Sequence, residues 1–162
     1  MASLYEGGFK LNVDASVFTE AETFSIGMLV RDHHGSFVVG RTMTLPKVDS
    51  VFEAEAIGVK EALSWLVEWK MDKERVQVET DSMLTTKALK CQTLNLMEVG
   101  DVIKECCSMM QIMPNVSINF VRNQANKAAH LLARYLCSAY VHVDFTSPPN
   151  CLLETLLSDL SK

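Results

Sequence analysis

Proline and glycine are sparse in this chain, four and seven among 162 residues. So few breakers leave no room for a Pro/Gly-rich low-complexity tract, and residues 9 to about 139 read as one uninterrupted compact unit. Long apolar runs are missing too. None approaches the roughly 18 to 20 residues of a membrane span, and the opening MASLYEGGFK lacks the apolar centre of a secretory signal. A non-membrane, intracellular chain is expected. Basic charge is short: 15 Lys plus Arg against 20 Asp plus Glu leave a formal net charge of −5. That excludes a general electrostatic nucleic-acid binder, though not a local basic patch. Cysteine is present but unpatterned, at 91, 106, 107, 137 and 151 with no CxxC pair. The set argues against a disulfide framework or a zinc ribbon and predicts reduced thiols, mostly packed in the core.

What is present is a succession of clear periodicities. Phe9, Leu11 and Val13 alternate with Lys10, Asn12 and Asp14, the period of a strand ending in a carboxylate. Two β-rich runs follow, Phe24 to Asp32 and Ser36 to Leu45, joined by the turn composition Asp32-His33-His34-Gly35. Residues 51 to 71 are rich in Ala, Leu, Glu and Lys and predict a long helix. Alternation returns at Arg75 to Asp81. Helical patterns at 82–90 and 98–112, a strand at Val116 to Val121 and a helix at Ala125 to Ala139 complete the order βββαβααβα. Hairpin strands pair antiparallel and strands joined through helices pair parallel, so the expected fold is α/β, a five-stranded mixed sheet flanked by helices. Residues 1–8 and 140–162 read as extensions. The second contains the stop Ser147-Pro148-Pro149-Asn150 and then Leu152, Leu153, Leu156, Leu157 and Leu160, a short amphipathic helix with Asn150 as its cap.

Asp14 and Asp81 each close a predicted strand on its polar side. Ligand crevices of open α/β sheets lie beyond the carboxyl ends of strands, so the two acids are placed to converge, although a strand-ending Asp also simply starts a turn. The long helix offers a third acid. Glu55 shares a face with Val59, Ala62, Leu66 and Trp69, whereas Glu53 and Glu61 point roughly 160° and 120° away. An acid beside an apolar stripe is costly unless paired, hydrogen-bonded or metal-bound, or unless it snorkels at the margin. Three carboxylates brought together without a nearby Lys or Arg call for a cation. An all-oxygen set suits Mg2+ or Mn2+ rather than zinc, and such clusters hold paired ions for phosphoryl transfer.

The order of elements, with NVDAS at 12–16, IGMLVRDHHGSFVVG at 26–40, FEAEAIGVKEAL at 52–63, VETDS at 78–82 and VRNQANKAAHLLAR at 121–134, resembles the ribonuclease H family. More narrowly it resembles the reverse-transcriptase-like domains of plant and non-LTR-retrotransposon type. The resemblance covers residues 9 to about 139. It implies an RNase H-like fold and a metal-dependent endonuclease that cuts the RNA strand of RNA/DNA hybrids with a two-ion Mg2+ or Mn2+ site. Carried over by position, Asp14, Glu55 and Asp81 are catalytic metal ligands. The fourth falls in Asn126-Lys127-Ala128-Ala129-His130-Leu131-Leu132-Ala133, where His130 stands in place of the family Asp. Imidazole is a poorer partner for Mg2+ than carboxylate, which predicts a preference for Mn2+ and loss of activity below about pH 6.5 as the ring protonates. Helical spacing alone equally fits His130 as a surface residue.

For substrate the resemblance implies contacts from Ser16, Ser82 and Asn126. Residues 115–139 carry Arg122, Lys127 and Arg134 and no acid, so Arg122 is a further candidate phosphate contact, although three basic residues in 25 equally suit an ordinary solvated helix. The loop before the last helix lacks the His that helps product leave full RNases H, and the link at 91–97 carries no basic handle. These departures keep an alternative open: a weakened, domesticated module that binds nucleic acid or protein without turnover. A 3′ exonuclease of the same superfamily would place a DxE pair on the first strand, and Asp14-Ala15-Ser16 does not fit. The oligomeric state is not legible.

Overall fold

The computed structural model describes residues 7–91, 99–135 and 142–162. Strands β1 (Phe9–Phe18), β2 (Thr23–Arg31) and β3 (Phe37–Pro46) form an antiparallel meander, followed by helix α1 (Val51–Glu68), strand β4 (Val76–Thr80), helices α2 (Met83–Cys91) and α3 (Gly100–Gln111) and strand β5 (Val116–Phe120). A 3-10 turn (Asn123–Asn126) leads into α4 (Lys127–Ala133), and then come β6 (His142–Phe145), a second 3-10 turn (Asn150–Leu152) and α5 (Leu153–Leu160). The mixed sheet has the order β5-β4-β1-β2-β3-β6, with β1, β4 and β5 mutually parallel and the other neighbours antiparallel.

The expected α/β architecture holds, with one change: the sheet has six strands. His142–Phe145 pair with β3, so part of the expected C-terminal extension belongs to the sheet. The reason is a buried cation. Arg41 on β3 is 6% exposed and pairs with Asp144 on β6 and Glu68 on α1 while lying over the Trp65 ring. These partners lie 103 and 27 residues away in sequence, beyond the reach of local periodicity.

Local chemistry accounts for the element ends. Ser50 accepts a hydrogen bond from the Glu53 amide, and the Glu53 carboxylate accepts one from the Asp49 amide, which fixes the start of α1. Asp32 accepts from the amides of His34 and Ser36, and Gly35 takes φ +82, so the expected hairpin turn forms with both histidines exposed. Asn150 opens the second 3-10 turn instead of capping the tail helix, and Leu152 stands at the α5 N-cap with no side-chain bond.

Two apolar layers sandwich the sheet. The larger unites Leu11, Val13, Phe24, Ile26 and Met28 with Val59, Leu63 and Leu66 of α1. The smaller joins Leu29 of β2 to Ala128, Ala129 and Leu132 of α4 and to Leu152 and Leu156 of the tail. All nine residues of β2 are therefore buried. At Gly27 the α4 backbone rests on the strand: a Cβ there would lie 2.2 Å from the Ala129 carbonyl oxygen and the Ala133 nitrogen. Only glycine permits that approach. Of the four described cysteines, all free, only Cys106 is fully buried, with its thiol pushed up to about 12 chiefly by that burial. The expectation of mostly buried thiols is corrected, because Cys91 is exposed and Cys107 and Cys151 are half-buried. Residues 92–98, Cys137, the expected end of the last core helix and residues 1–6 lie outside the described residues. Among the described residues no helix is long and apolar enough to cross a membrane.

Candidate active site

Asp14 does not end its strand as expected, since β1 runs on to Phe18. Its neighbour ends instead. Parallel pairing with β4 stops at Asn12 opposite Glu79, and β4 finishes at Thr80, so the next residue, Asp81, turns off the sheet beside the unpaired flank of Asp14. Two acids thus meet where the parallel part of the sheet runs out, the crevice expected of such sheets. Glu55 arrives from above. Val59, Ala62 and Leu66 on its face are fully buried, which anchors α1 and leaves Glu55 one turn from the helix start, against β1.

One carboxylate oxygen from each of Asp14, Glu55 and Asp81 lies within 4.8 Å of the other two. The clustering is electrostatically expensive. Burial, the Asp81 charge next, pushes the Asp14 carboxyl up to about 6, although a hydrogen bond with His130 pulls it down. Burial and then the charges of Asp14 and Asp81 push Glu55 up to about 9. The ion pairs of Lys10, Arg31, Arg41, Lys60, Lys104 and Lys162 all go to other acids. Hard, oxygen-only donors that raise one another's proton affinity fit a divalent cation such as Mg2+ or Mn2+.

His130 is brought to the site, but through Asp14 alone. Its Nδ1 lies 2.7 Å from Asp14 Oδ2, and the mutually close set of ligand atoms comprises the three acids without it. Bonding to an ionised Asp14 places the proton on Nδ1 and leaves Nε2 with no hydrogen bond among the described residues. The ring is 46% exposed at the side chain. Gly27 makes the contact possible, because it is the cross-strand partner of Asp14 and carries the turn of α4 that holds His130.

The expected substrate contacts divide. Arg122 is exposed at the entry to the 3-10 turn. Ser16 is 6% exposed, on the Asp14 face of β1. Ser82 is spent on its own helix: its hydroxyl meets Thr85 Oγ1 at 2.8 Å and accepts from the Thr85 amide. Asn126 is the most enclosed. It is 1% exposed, its Nδ2 donates to the Val13 carbonyl at 2.8 Å and to Asp81 Oδ1 at 3.5 Å, and its Oδ1 accepts from Asn12. An amide with both ends bonded inside the protein supports the site from behind.

Three residues at the site went unread in the sequence. Asn12 and Glu79 sit two positions before Asp14 and Asp81, so the alternation that places the acids on one face places these there too. Gly27 carried one signal, a glycine inside a strand pattern.

The reverse transcriptase-like family profile matches residues 12–136. Ribonuclease H1 from the halophilic archaeon Halobacterium salinarum superposes with a TM-score of 0.70 at 19% identity, covering 79% of this chain and 96% of its own. LC11-RNase H1, isolated from compost and solved in complex with an RNA/DNA hybrid, superposes with a TM-score of 0.68 at 16% identity over 78% and 94% of the two chains. The N-terminal RNase H domain of a Mycobacterium tuberculosis protein gives 0.68 at 14% identity over 80% and 93%. At such identities these likenesses establish the fold. No curated protein sequence is a match.

Proposed function

The chain belongs to the reverse transcriptase-like family and has the ribonuclease H fold, and from that premise we propose that it is a metal-dependent endonuclease hydrolysing the RNA strand of RNA/DNA hybrids. The observation that carries the reading is the convergence of Asp14, Glu55 and Asp81 from three elements onto one point at the end of the parallel strands. The hybrid seen bound to LC11-RNase H1 supplies the substrate class.

Asp14, Glu55 and Asp81 would hold the divalent ions. A bound pair supplies an activated water on one side of the phosphodiester and charge neutralisation at the leaving oxygen on the other. The chain's own groups do the rest. Asn126 and the β1 backbone fix Asp81 and Asp14 relative to each other, so little reorganisation remains when substrate arrives. His130 holds Asp14 Oδ2 by its Nδ1–H, which leaves its other nitrogen free to serve as an acceptor or ligand. Arg122, exposed beside the 3-10 turn, takes up backbone phosphate.

One observation favours the second reading, a module that binds nucleic acid without turnover. His130 spends a nitrogen on Asp14, and the clustered donors number three acids. A labelled RNA/DNA hybrid incubated with wild type, Asp14→Asn and His130→Asp in Mn2+ and in Mg2+ separates the two. Cleavage by wild type that is greater in Mn2+, lost in Asp14→Asn and kept or increased in His130→Asp supports the nuclease. Hybrid binding without cleavage in every form supports the binding module.

A further inference from the structure

Behind the three acids lies a fourth carboxylate that the proposed chemistry leaves unused. Glu79 is 9% exposed and faces Asn12 across the parallel β4–β1 pair. Its Oε2 accepts from Asn12 Nδ2 at 2.9 Å, and its Oε1 lies 3.1 Å from Lys10 Nζ, so its charge is neutralised before it reaches the metal-binding acids. The same Asn12 nitrogen donates to Asn126 Oδ1 at 3.2 Å, and Asn126 Nδ2 then donates to the Val13 carbonyl and to Asp81 Oδ1. The chain of bonds runs from Lys10 to Asp81 through three side chains.

Amide groups read either way round, and here two obligate acceptors remove the ambiguity, Glu79 for Asn12 and the Val13 carbonyl for Asn126. An ionised carboxylate only accepts, so Glu79 compels Asn12 to present its NH2. Asn12 reversed would set its oxygen against Glu79 and against Asn126 Oδ1. In the observed sense Asn12 Oδ1 is buried with no hydrogen-bond partner, so the orientation is held by Glu79 and not by symmetric bonding of the amide. Asn126 in turn must offer its oxygen to Asn12 and its NH2 to Asp81. We propose that Glu79 is a positioning residue: through Asn12 and Asn126 it sets the donor that aims the Asp81 carboxylate at the site. The inference rests on the nuclease reading only for what Asp81 is aimed at.

The test uses the full chain and Mn2+ alone as probe, with no turnover required. Glu79→Met removes the acceptor, whereas Glu79→Gln keeps one for Asn12. Loss of a partner bonded directly to a ligand typically weakens metal affinity about tenfold to a hundredfold; Glu79 acts through two intervening side chains, so the lower end, about tenfold, is expected. Titration with Mn2+ followed by calorimetry is expected to show that loss in Glu79→Met and binding close to wild type in Glu79→Gln. Equal affinity in wild type and Glu79→Met overturns the positioning role while leaving the nuclease reading intact. Absence of Mn2+ binding in wild type removes the nuclease reading instead. The bond chain is then judged by NMR, in which the Asn126 side-chain amide should be protected from solvent exchange in wild type and Glu79→Gln and lose protection in Glu79→Met. An Asn126 amide unchanged in Glu79→Met, with both variants folded by circular dichroism, overturns the proposal outright.

Discussion

Neutralising one acid of the site should stabilise the metal-free protein and destabilise it relative to wild type once metal is added. The substitution is Asp81→Asn, which keeps an oxygen to accept from Asn126. At pH 8 the Glu55 carboxyl, held at about 9, is mostly protonated, so the repulsion that matters runs between Asp14 and Asp81. Two charges at 4.8 Å, the outer limit of the separation, repel by about 0.9 kcal/mol at the dielectric of water and about 3.5 kcal/mol at an effective value of 20. Asp81 is only half-buried, which favours the lower part of that span. A gain of about 1 to 2 kcal/mol follows, or about 2 to 8 °C in Tm for a chain of this size.

Metal reverses the order. An ion at a hundred times its Kd adds about 2.7 kcal/mol to wild type, whereas the variant lacks one of three anionic ligands and gains little. Thermal melts of both proteins at pH 8, in EDTA and in excess Mn2+, should therefore cross. An Asp81→Asn protein that melts no higher than wild type in EDTA refutes the electrostatic reasoning. Equal stabilisation of both proteins by Mn2+ refutes the assignment of Asp81 as a ligand.

Gly27→Val should cost more than about 4 kcal/mol, because α4 must lift off β2 for any Cβ to fit; urea unfolding measures it, and a loss under 1 kcal/mol contradicts the packing. Arg41→Met should cost about 2 kcal/mol in the same assay, less than for a fully buried pair, since Asp144 and Glu68 are partly wet and regain water. The Arg41 hydrogen bonds hold the Asp144 carboxyl below its ordinary 3.8 in the folded state. The stability this adds is present above about pH 4 and lost as pH falls through the folded value, so acid unfolding should begin at higher pH in Arg41→Met than in wild type. Leu156→Ala empties a place beside Leu29 and Leu132 and should lower stability by about 2 to 3 kcal/mol, together with hybrid cleavage, since α4 carries His130; unchanged stability would show the tail helix to be loosely attached.

Elements whose signals are local were legible in the sequence. The helix expected over 51–71 occupies Val51–Glu68, the alternation at 75–81 forms Val76–Thr80, and Asp14, Glu55 and Asp81, which spacing placed as candidates and the family resemblance joined, lie together. Features that depend on distant partners were not. Strand β6 offers four residues of alternation, too few to stand out, and joins the sheet because Arg41 needs Asp144. Asn126 and Ser82 occupy positions that the family resemblance links to substrate. Nothing in their spacing could show that one hydroxyl caps α2 and that the Asn126 amide is consumed by Asn12, Val13 and Asp81.

Helical spacing also left His130 undecided between solvent and site; the structure sets its ring against Asp14, and electrostatics bear on what that contact does. A fourth carboxylate at that position would add a like charge beside Asp14, whose proton affinity is already raised by burial and by Asp81. A neutral imidazole bonds the same oxygen without that repulsion, so the metal-free fold tolerates it more easily. On the proposed nuclease reading the cost would fall on hard-cation affinity, with one anionic ligand fewer. That reading predicts a stable empty site that fills less readily with Mg2+. His130→Asp should move both quantities together, with a lower Tm in EDTA and tighter Mg2+ binding. A variant that gained Mg2+ affinity with no loss of metal-free stability would break the link between them.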